Sequence, residues 1–172
     1  MKYDFYKKLY EKNAALFHAR PLLKKALPIV DKAVTSLFVV AYAMLCLYAY
    51  KNEISVTEWM QILFPPALCL LVVSVLRLAV EKPRPYAEQG ANITPLIKKK
   101  RGAMRSFPSR HIACAMVIAS VFLPFFPTVA WILYFFGCVL AYLRFSMGLH
   151  YPSDLLAGGI VGIFSGMIAF IL

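Results

Sequence analysis

Residues 144–154 read R-F-S-M-G-L-H-Y-P-S-D and stand between two apolar runs, 129–143 and 155–172. An arginine, a histidine and an aspartate sit within these eleven residues. A charge at the centre of a bilayer costs about 3 kcal/mol or more, so ionisable groups beside membrane-length segments need a partner or a task. The stretch is therefore expected at the polar ends of two spans, facing a water-filled cavity inside a bundle rather than lipid.

The rest of the chain supports that reading. It has 172 residues, 61% of them hydrophobic, and a mean hydropathy of +0.68, which excludes an ordinary soluble globular domain. Five spans are predicted, at 33–50, 59–76, 112–123, 129–143 and 155–172. The third and fourth fall short of the roughly 20 helical residues that a bilayer needs. They fit if their polar ends lie in the cavity. P-F-F-P at 124–127 breaks the helix between them, and Pro65–Pro66 is expected to kink the second span. The predicted fold is all-α, an integral membrane helical bundle of about five transmembrane helices. It forms one domain over residues 1–172, with an amphipathic interfacial segment at 1–28 and the bundle at 29–172.

In the first thirty residues, Tyr6, Leu9, Tyr10, Asn13, Leu16 and Phe17 follow helical spacing, with Lys7, Lys8, Glu11 and Lys12 off that stripe. This predicts a basic amphipathic helix lying in the membrane interface and ending near Arg20-Pro21. His18 is expected to be an interfacial side chain. No apolar core of a cleavable signal peptide occurs there. Cys46, Cys69, Cys114 and Cys138 lie inside spans with no C-x-x-C spacing and are read as small apolar residues.

The net charge is +11. In a membrane protein the matching anion is a lipid headgroup or a substrate phosphate, not nucleic acid. The K-K-K-R run at 98–101 is read as solvated or headgroup-binding. Gly158, Gly162 and Gly166 form a smooth stripe at four-residue spacing, expected to pack inside the bundle, with a homodimer face as the alternative.

Three polar patches interrupt the apolar pattern: R-L-A-V-E-K-P-R-P at 77–85, S-F-P-S-R-H at 106–111, and the stretch at 144–154. In an up-and-down bundle, the ends of spans two and four and the starts of spans three and five share one face, so the patches should converge. Arg77, Arg84, Arg110 and Arg144 would then place four guanidiniums together, a match for phosphate oxygens. Ser109, Arg110 and His111 open a helix whose first N–H groups lack helical partners and suit an anion. Asp154 is spaced to cap the first turn of the last helix, or to hold one nitrogen of His150 and leave the other to attack. His111 is a second imidazole, suited to protonating a leaving oxygen. Two histidines and an aspartate are also zinc ligands, but four arginines oppose a cation, so no metal is expected.

At these residues the chain resembles the type 2 phosphatidic acid phosphatase superfamily, which also includes vanadium haloperoxidases and bacterial acid phosphatases. The family pattern K-x6-R-P, P-S-G-H, S-R-x5-H-x3-D appears here as R-L-A-V-E-K-P-R-P, P-S-R-H and L-R-F-S-M-G-L-H-Y-P-S-D, in order and with spacing kept. The resemblance implies His150 as a nucleophile that forms a phosphohistidine, Asp154 as its orienting carboxylate and His111 as the general acid. It implies that Arg77, Arg84, Arg144, Ser109 and the backbone at Arg110 hold the phosphoryl oxygens, with no metal and no cofactor. Three positions depart: Arg77 for lysine, Arg110 for glycine and Leu143 for serine. Arg110 is the largest change, because glycine permits close backbone approach.

The implied substrate is a membrane lipid phosphate: polyprenyl diphosphate, phosphatidylglycerophosphate, or phosphatidic or lysophosphatidic acid. Arg110 tilts the choice toward the diphosphate. The alternatives are a non-catalytic relative that binds or moves anionic lipids, and a vanadate-dependent oxidase. The implied location is a bacterial plasma membrane. At least fifteen Lys and Arg side chains fall on the patch-bearing face, seven before residue 26 and eight from Lys82 to Arg110. The positive-inside rule puts that face in the cytoplasm, whereas the resemblance puts it outside. The side is left open.

Overall fold

The computed structural model describes residues 4–88, 93–97 and 104–172. The K-K-K-R run at 98–101 lies outside the described residues. The described chain is helical: α1 (Asp4–His18), α2 (Pro21–Lys51), α3 (Val56–Ala79), α4 (Arg110–Phe122), α5 (Pro127–Ser146) and α6 (Pro152–Met167), followed by a 3-10 turn at Ile168–Phe170.

Local sequence sets where these helices start. Proline opens α2, α5 and α6, where its missing N–H costs nothing. Ser55 and Glu58 open α3 as a capping box: the Ser55 N–H donates to the Glu58 carboxylate at 2.8 Å, and the Glu58 N–H donates back to Ser55 Oγ at 3.3 Å. α3 continues through Pro65–Pro66, and α2 through Pro28. The first helix break lies at 19–20, where the Arg20-Pro21 step was expected to end the first helix.

Among the described residues four helices, α2, α3, α5 and α6 with its terminal turn, are long and apolar enough to cross a membrane. Residues 127–128 and 144–146 extend the fourth expected span to 20 residues, so it is not short. α4 has 13 residues and rises about 20 Å at 1.5 Å per residue, less than the hydrocarbon thickness. It is the central helix. Ile112, Ala113, Met116, Val117, Ala119 and Val121 are buried, on faces all round it, against α3, α5 and α6. Large apolar side chains exposed on the outer helices, among them Val39, Leu71, Trp131, Phe135 and Phe164, form the lipid-facing surface. The chain is an integral membrane protein.

The glycine stripe faces α4. A Cβ on Gly158 would stand 2.6 Å from the Ser109 carbonyl oxygen, and one on Gly162 would stand 2.4 Å from that of Ala113. Removing three side chains lets α6 lie directly on α4. The stripe is thus used inside the bundle and is not an open dimer face. Of the cysteines, Cys69 is buried and Cys138 is exposed on α5.

α1 packs one face on the bundle. Tyr6, Tyr10 and Ala14 are buried against the bundle rather than turned to lipid, while Leu9 and Leu16 are exposed. Tyr6 stacks on Tyr10, with ring centroids 6.1 Å apart, and meets the Tyr151 ring at 4.8 Å. Tyr10 donates to the Thr94 carbonyl at 2.8 Å, and Asn13 donates to Ser146 Oγ at 2.8 Å. The aromatic stripe packs over the end of α5 and the loop that follows it.

Candidate active site

The three patches meet at one end of the bundle, as the span order requires. Backbone bonds tie them together. The Ser106 N–H donates to the Lys82 carbonyl at 2.9 Å, and the Ser109 N–H donates to the Asp154 carbonyl at 2.9 Å. Arg84 Nη1 donates to the Leu149 carbonyl at 3.1 Å. The turn from α5 toward α6 passes through Gly148 at φ +71°, a left-handed conformation that favours glycine. A Cβ there would also meet the Tyr10 ring at 3.0–3.1 Å. α1 therefore closes over the turn that carries His150.

His150 is 1% exposed. Its Nδ1 lies 3.0 Å from the Ser106 carbonyl oxygen. A carbonyl only accepts, so Nδ1 carries the proton and Nε2 keeps its lone pair. Arg84 Nη1 stands 3.3 Å from that Nε2 and donates to it. Burial, with the charges of Arg84 and Arg144 nearby, pushes the imidazole down from 6.5 to about 4, against the pull of Asp154. The ring is neutral at pH 7 with its unprotonated nitrogen aimed at an arginine.

Asp154 does not hold the ring directly. Its Oδ2 is 3.8 Å from His150 Nδ1, beyond hydrogen-bond reach. The carboxylate is taken by Lys82 Nζ at 2.5 Å, by Ser106 Oγ at 2.5 Å and by the Tyr151 N–H at 3.1 Å. It caps the first turn of α6, as its spacing suggests, and fixes Ser106, whose carbonyl orients the imidazole. Sequence reasoning assigned no role to Ser106 or Lys82. A backbone acceptor leaves no mark in a sequence. Lys82 was hidden among the six spacer residues of its own patch; its ammonium also lies over the Tyr151 ring, 4.6 Å from the centroid.

The other expected phosphate ligands divide. Arg84 and Arg144 are buried, and both stand close enough to His150 for their charges to act on it. The Ser109 hydroxyl is buried with no partner among the described residues, so it is available to an oxygen of a bound anion. The Ser109 N–H is not, since Asp154 accepts it. Arg77 donates to the backbone carbonyls of Pro108 and Arg105, at 2.8 Å for Pro108. It braces the turn into α4 with a planar fork, a task for which lysine is no substitute. Arg110 and His111 are exposed at the start of α4. Both line a mainly apolar cavity of about 220 Å³ between α2, α4 and α5, walled by Phe38, Cys114, Ile118 and Leu140.

The arrangement offers a neutral imidazole nucleophile, buried guanidiniums and an unpaired hydroxyl on one side, and a second imidazole beside an apolar cavity on the other. Such a set can hold an anion of phosphate shape and transfer it to nitrogen.

Comparison with known proteins points the same way. The family model described as the PAP2 superfamily matches residues 58–172, which take in all three patches. The chain is 33% identical over 104 residues to a lipid A 4'-phosphatase of Bacteroides thetaiotaomicron, a match covering 58% of this chain and 46% of that protein. It is 26% identical over 172 residues to the undecaprenyl-diphosphatase BcrC of Bacillus subtilis, covering 99% and 83%. It thus spans about half the length of the first relative and most of the second. Among solved structures, LpxE of Aquifex aeolicus superposes with a TM-score of 0.64 at 25% identity over 94% of each chain. A PAP2-type phosphatidylglycerolphosphate phosphatase of Bacillus subtilis shares the fold at a TM-score of 0.50 and 18% identity, over 99% of this chain and 95% of that one.

Proposed function

The chain belongs to the PAP2 superfamily, and on that premise we propose that it is a metal-independent lipid phosphate phosphatase working through a phosphohistidine at His150. The observation that carries this reading is the state of His150: protonated on Nδ1 by its bond to Ser106, unprotonated on Nε2, and buried beside two arginines. In the reaction, Arg84 Nη1 transfers its hydrogen bond from Nε2 to a phosphoryl oxygen. Nε2 then attacks phosphorus. Arg84, Arg144, the Ser109 hydroxyl and the first-turn N–H of Arg110 hold the equatorial oxygens, where charge is concentrated in the transition state. His111 gives a proton to the leaving oxygen as the phosphorus–oxygen bond breaks. It next takes a proton from the water that attacks the phosphohistidine, which releases inorganic phosphate and restores the imidazole.

The substrate is a phosphorylated lipid of a bacterial membrane. The site lies where membrane helices end, so a phosphate can enter while its hydrocarbon stays in or beside the bundle. The apolar cavity next to His111 suits the chain of the leaving group. Arg110 adds an exposed guanidinium beside His111, which favours a diphosphate such as polyprenyl diphosphate. Both named relatives act on phosphorylated membrane lipids, and one of them on a diphosphate. Self-association through the glycine stripe is no part of this proposal, because α4 covers it.

The test is phosphate release by the detergent-purified protein with EDTA present, from polyprenyl diphosphate, phosphatidylglycerophosphate and phosphatidic acid, beside His150→Ala. EDTA-resistant release that disappears in the variant is expected. Lipid binding without release from any of the three would replace the enzyme with a lipid-binding relative.

A further inference from the structure

Asp31 lies in α2, which carries none of the three patches, and it is buried at 5% exposure inside a candidate membrane span. A carboxylate in that position needs a partner, and a buried ionisable group in a span is a mark of function. Its partner is Arg144, 113 residues away on α5. Arg144 Nη2 donates to Asp31 Oδ2 at 2.9 Å, and Arg144 Nε stands 2.8 Å from Oδ1 as an ion contact less well aligned than a hydrogen bond. The carboxylate thus takes one whole edge of the guanidinium, the Nε–Nη2 edge. No described residue accepts from Nη1.

The pair is well placed for more than fastening α2 to α5. Arg144 and Arg84 both act electrostatically on His150 and lie near enough to oppose each other. In an empty site, two buried guanidiniums repel and tend to separate. A carboxylate behind one of them offsets that repulsion and leaves its front edge free. A fork gripped on one edge also has a fixed plane, so the other edge points in one direction.

We propose that Asp31 is a positioning residue for the phosphate site: by gripping the Nε–Nη2 edge of Arg144 it turns Nη1 toward the phosphoryl oxygens and keeps Arg144 beside Arg84 before the substrate arrives. This rests on the phosphatase reading above and adds to it a residue outside the family's three patches.

The experiment compares Asp31→Asn, Asp31→Glu, Arg144→Lys and the double variant Asp31→Asn with Arg144→Lys, all in detergent. The readouts are kcat and KM for phosphatidic acid, melting temperature, and the affinity for inorganic phosphate measured by its thermal protection. Asp31→Asn keeps the shape but loses the charge. Its kcat is expected to fall about 100-fold, the effect of a reacting group misplaced by about an ångström. Phosphate protection weakens in parallel, Asp31→Glu recovers part of both, and the double variant is no worse than Arg144→Lys alone. A melting temperature that falls while kcat and phosphate protection hold would reduce Asp31 to a staple between helices and overturn the proposal. So would losses that multiply in the double variant. If the wild type releases no phosphate, the phosphatase reading fails by itself. Phosphate protection then still decides the role of Asp31: equal protection in wild type and Asp31→Asn overturns it.

Discussion

The Nδ1 of His150 lies 3.0 Å from the Ser106 carbonyl oxygen and 3.8 Å from the Asp154 carboxylate. The ring is therefore set by the backbone of the second patch. Asp154 acts through the group that carries that carbonyl. This changes what loss of the carboxylate should do. Asp154→Asn leaves Lys82 without its anion and Ser106 with a weaker acceptor, and both are joined to the imidazole only indirectly. The variant is expected to lose about 1.5–3 kcal/mol of stability, the range for a hydrogen bond to a charged group, together with most of its turnover. Adding Lys82→Met to it should recover part of the stability, because the uncompensated ammonium is removed. Thermal unfolding of the three proteins checks this. Equal melting temperatures in wild type and Asp154→Asn would show that the carboxylate bears no structural load.

The pH profile follows from the burial of His150. Its pKa falls from 6.5 to about 4, so the neutral nucleophile is the form present from pH 7 down to well below pH 6. kcat/KM reports the free enzyme, and its acid limb should bend near pH 4 rather than near 6.5. Stability moves the same way. The unfolded chain binds a proton at His150 below about pH 6.5, which the native state refuses until about pH 4. Folding is thus weakened progressively as pH drops between those values, and the full contribution is present above them. An acid limb near 6.5 would show that the ring is solvated in the working enzyme.

The contact between α6 and α4 separates two neighbouring glycines. A Cβ on Gly158 would stand 2.6 Å from the Ser109 carbonyl, whereas one on Gly159 would meet only Ile112 Cγ2, at 4.0 Å. Gly158→Ala must push α6 off the turn that carries Ser109. It is expected to cost about 1–3 kcal/mol by overpacking and to lower turnover. Gly159→Ala has room and gains up to about 1 kcal/mol of helix propensity. Melting temperature and activity of the pair test the packing. Equal behaviour of the two variants would contradict the direct seating of α6 on α4.

Arg110 stands where the family has glycine, and its side chain is exposed at the start of α4. Arg110→Gly should leave the melting temperature within about 0.5 kcal/mol of wild type in stability terms, as for other exposed substitutions. It should raise KM for polyprenyl diphosphate about tenfold, the loss of one charge-assisted contact, and change KM for phosphatidic acid much less. Equal effects on both lipids would deny Arg110 a second-phosphate role.

The legible part of this protein was whatever repeats along a helix or ends one. The apolar runs gave the bundle, because helix period and bilayer thickness limit what such runs can be. The order of the spans brought Arg84, Ser109, His150 and Asp154 to one end, because alternating spans return to the same face. The aromatic stripe of α1 was legible as a stripe. That it faces Phe145 and Tyr151 rather than lipid was not, since a lipid tail and a protein flank ask for the same side chains. The partners that fix charge were the least visible. The grip of Asp31 on Arg144 joins α2 to α5 across 113 residues, and in the sequence Asp31 looks like one more polar residue near a basic segment. Arg77 carries a guanidinium at a phosphate-binding position but spends it on backbone carbonyls, which have no side-chain identity to read.

The covalent step is the centre of the account, and trapping it is the most direct measurement. The purified protein would be mixed with phosphate-labelled phosphatidic acid, quenched within the first turnover in base, and digested for mass spectrometry. The account predicts a phosphoryl group on the peptide containing His150, lost on acid treatment and missing in His150→Ala. Turnover without that modification, or a phosphoryl group on another residue, would contradict it.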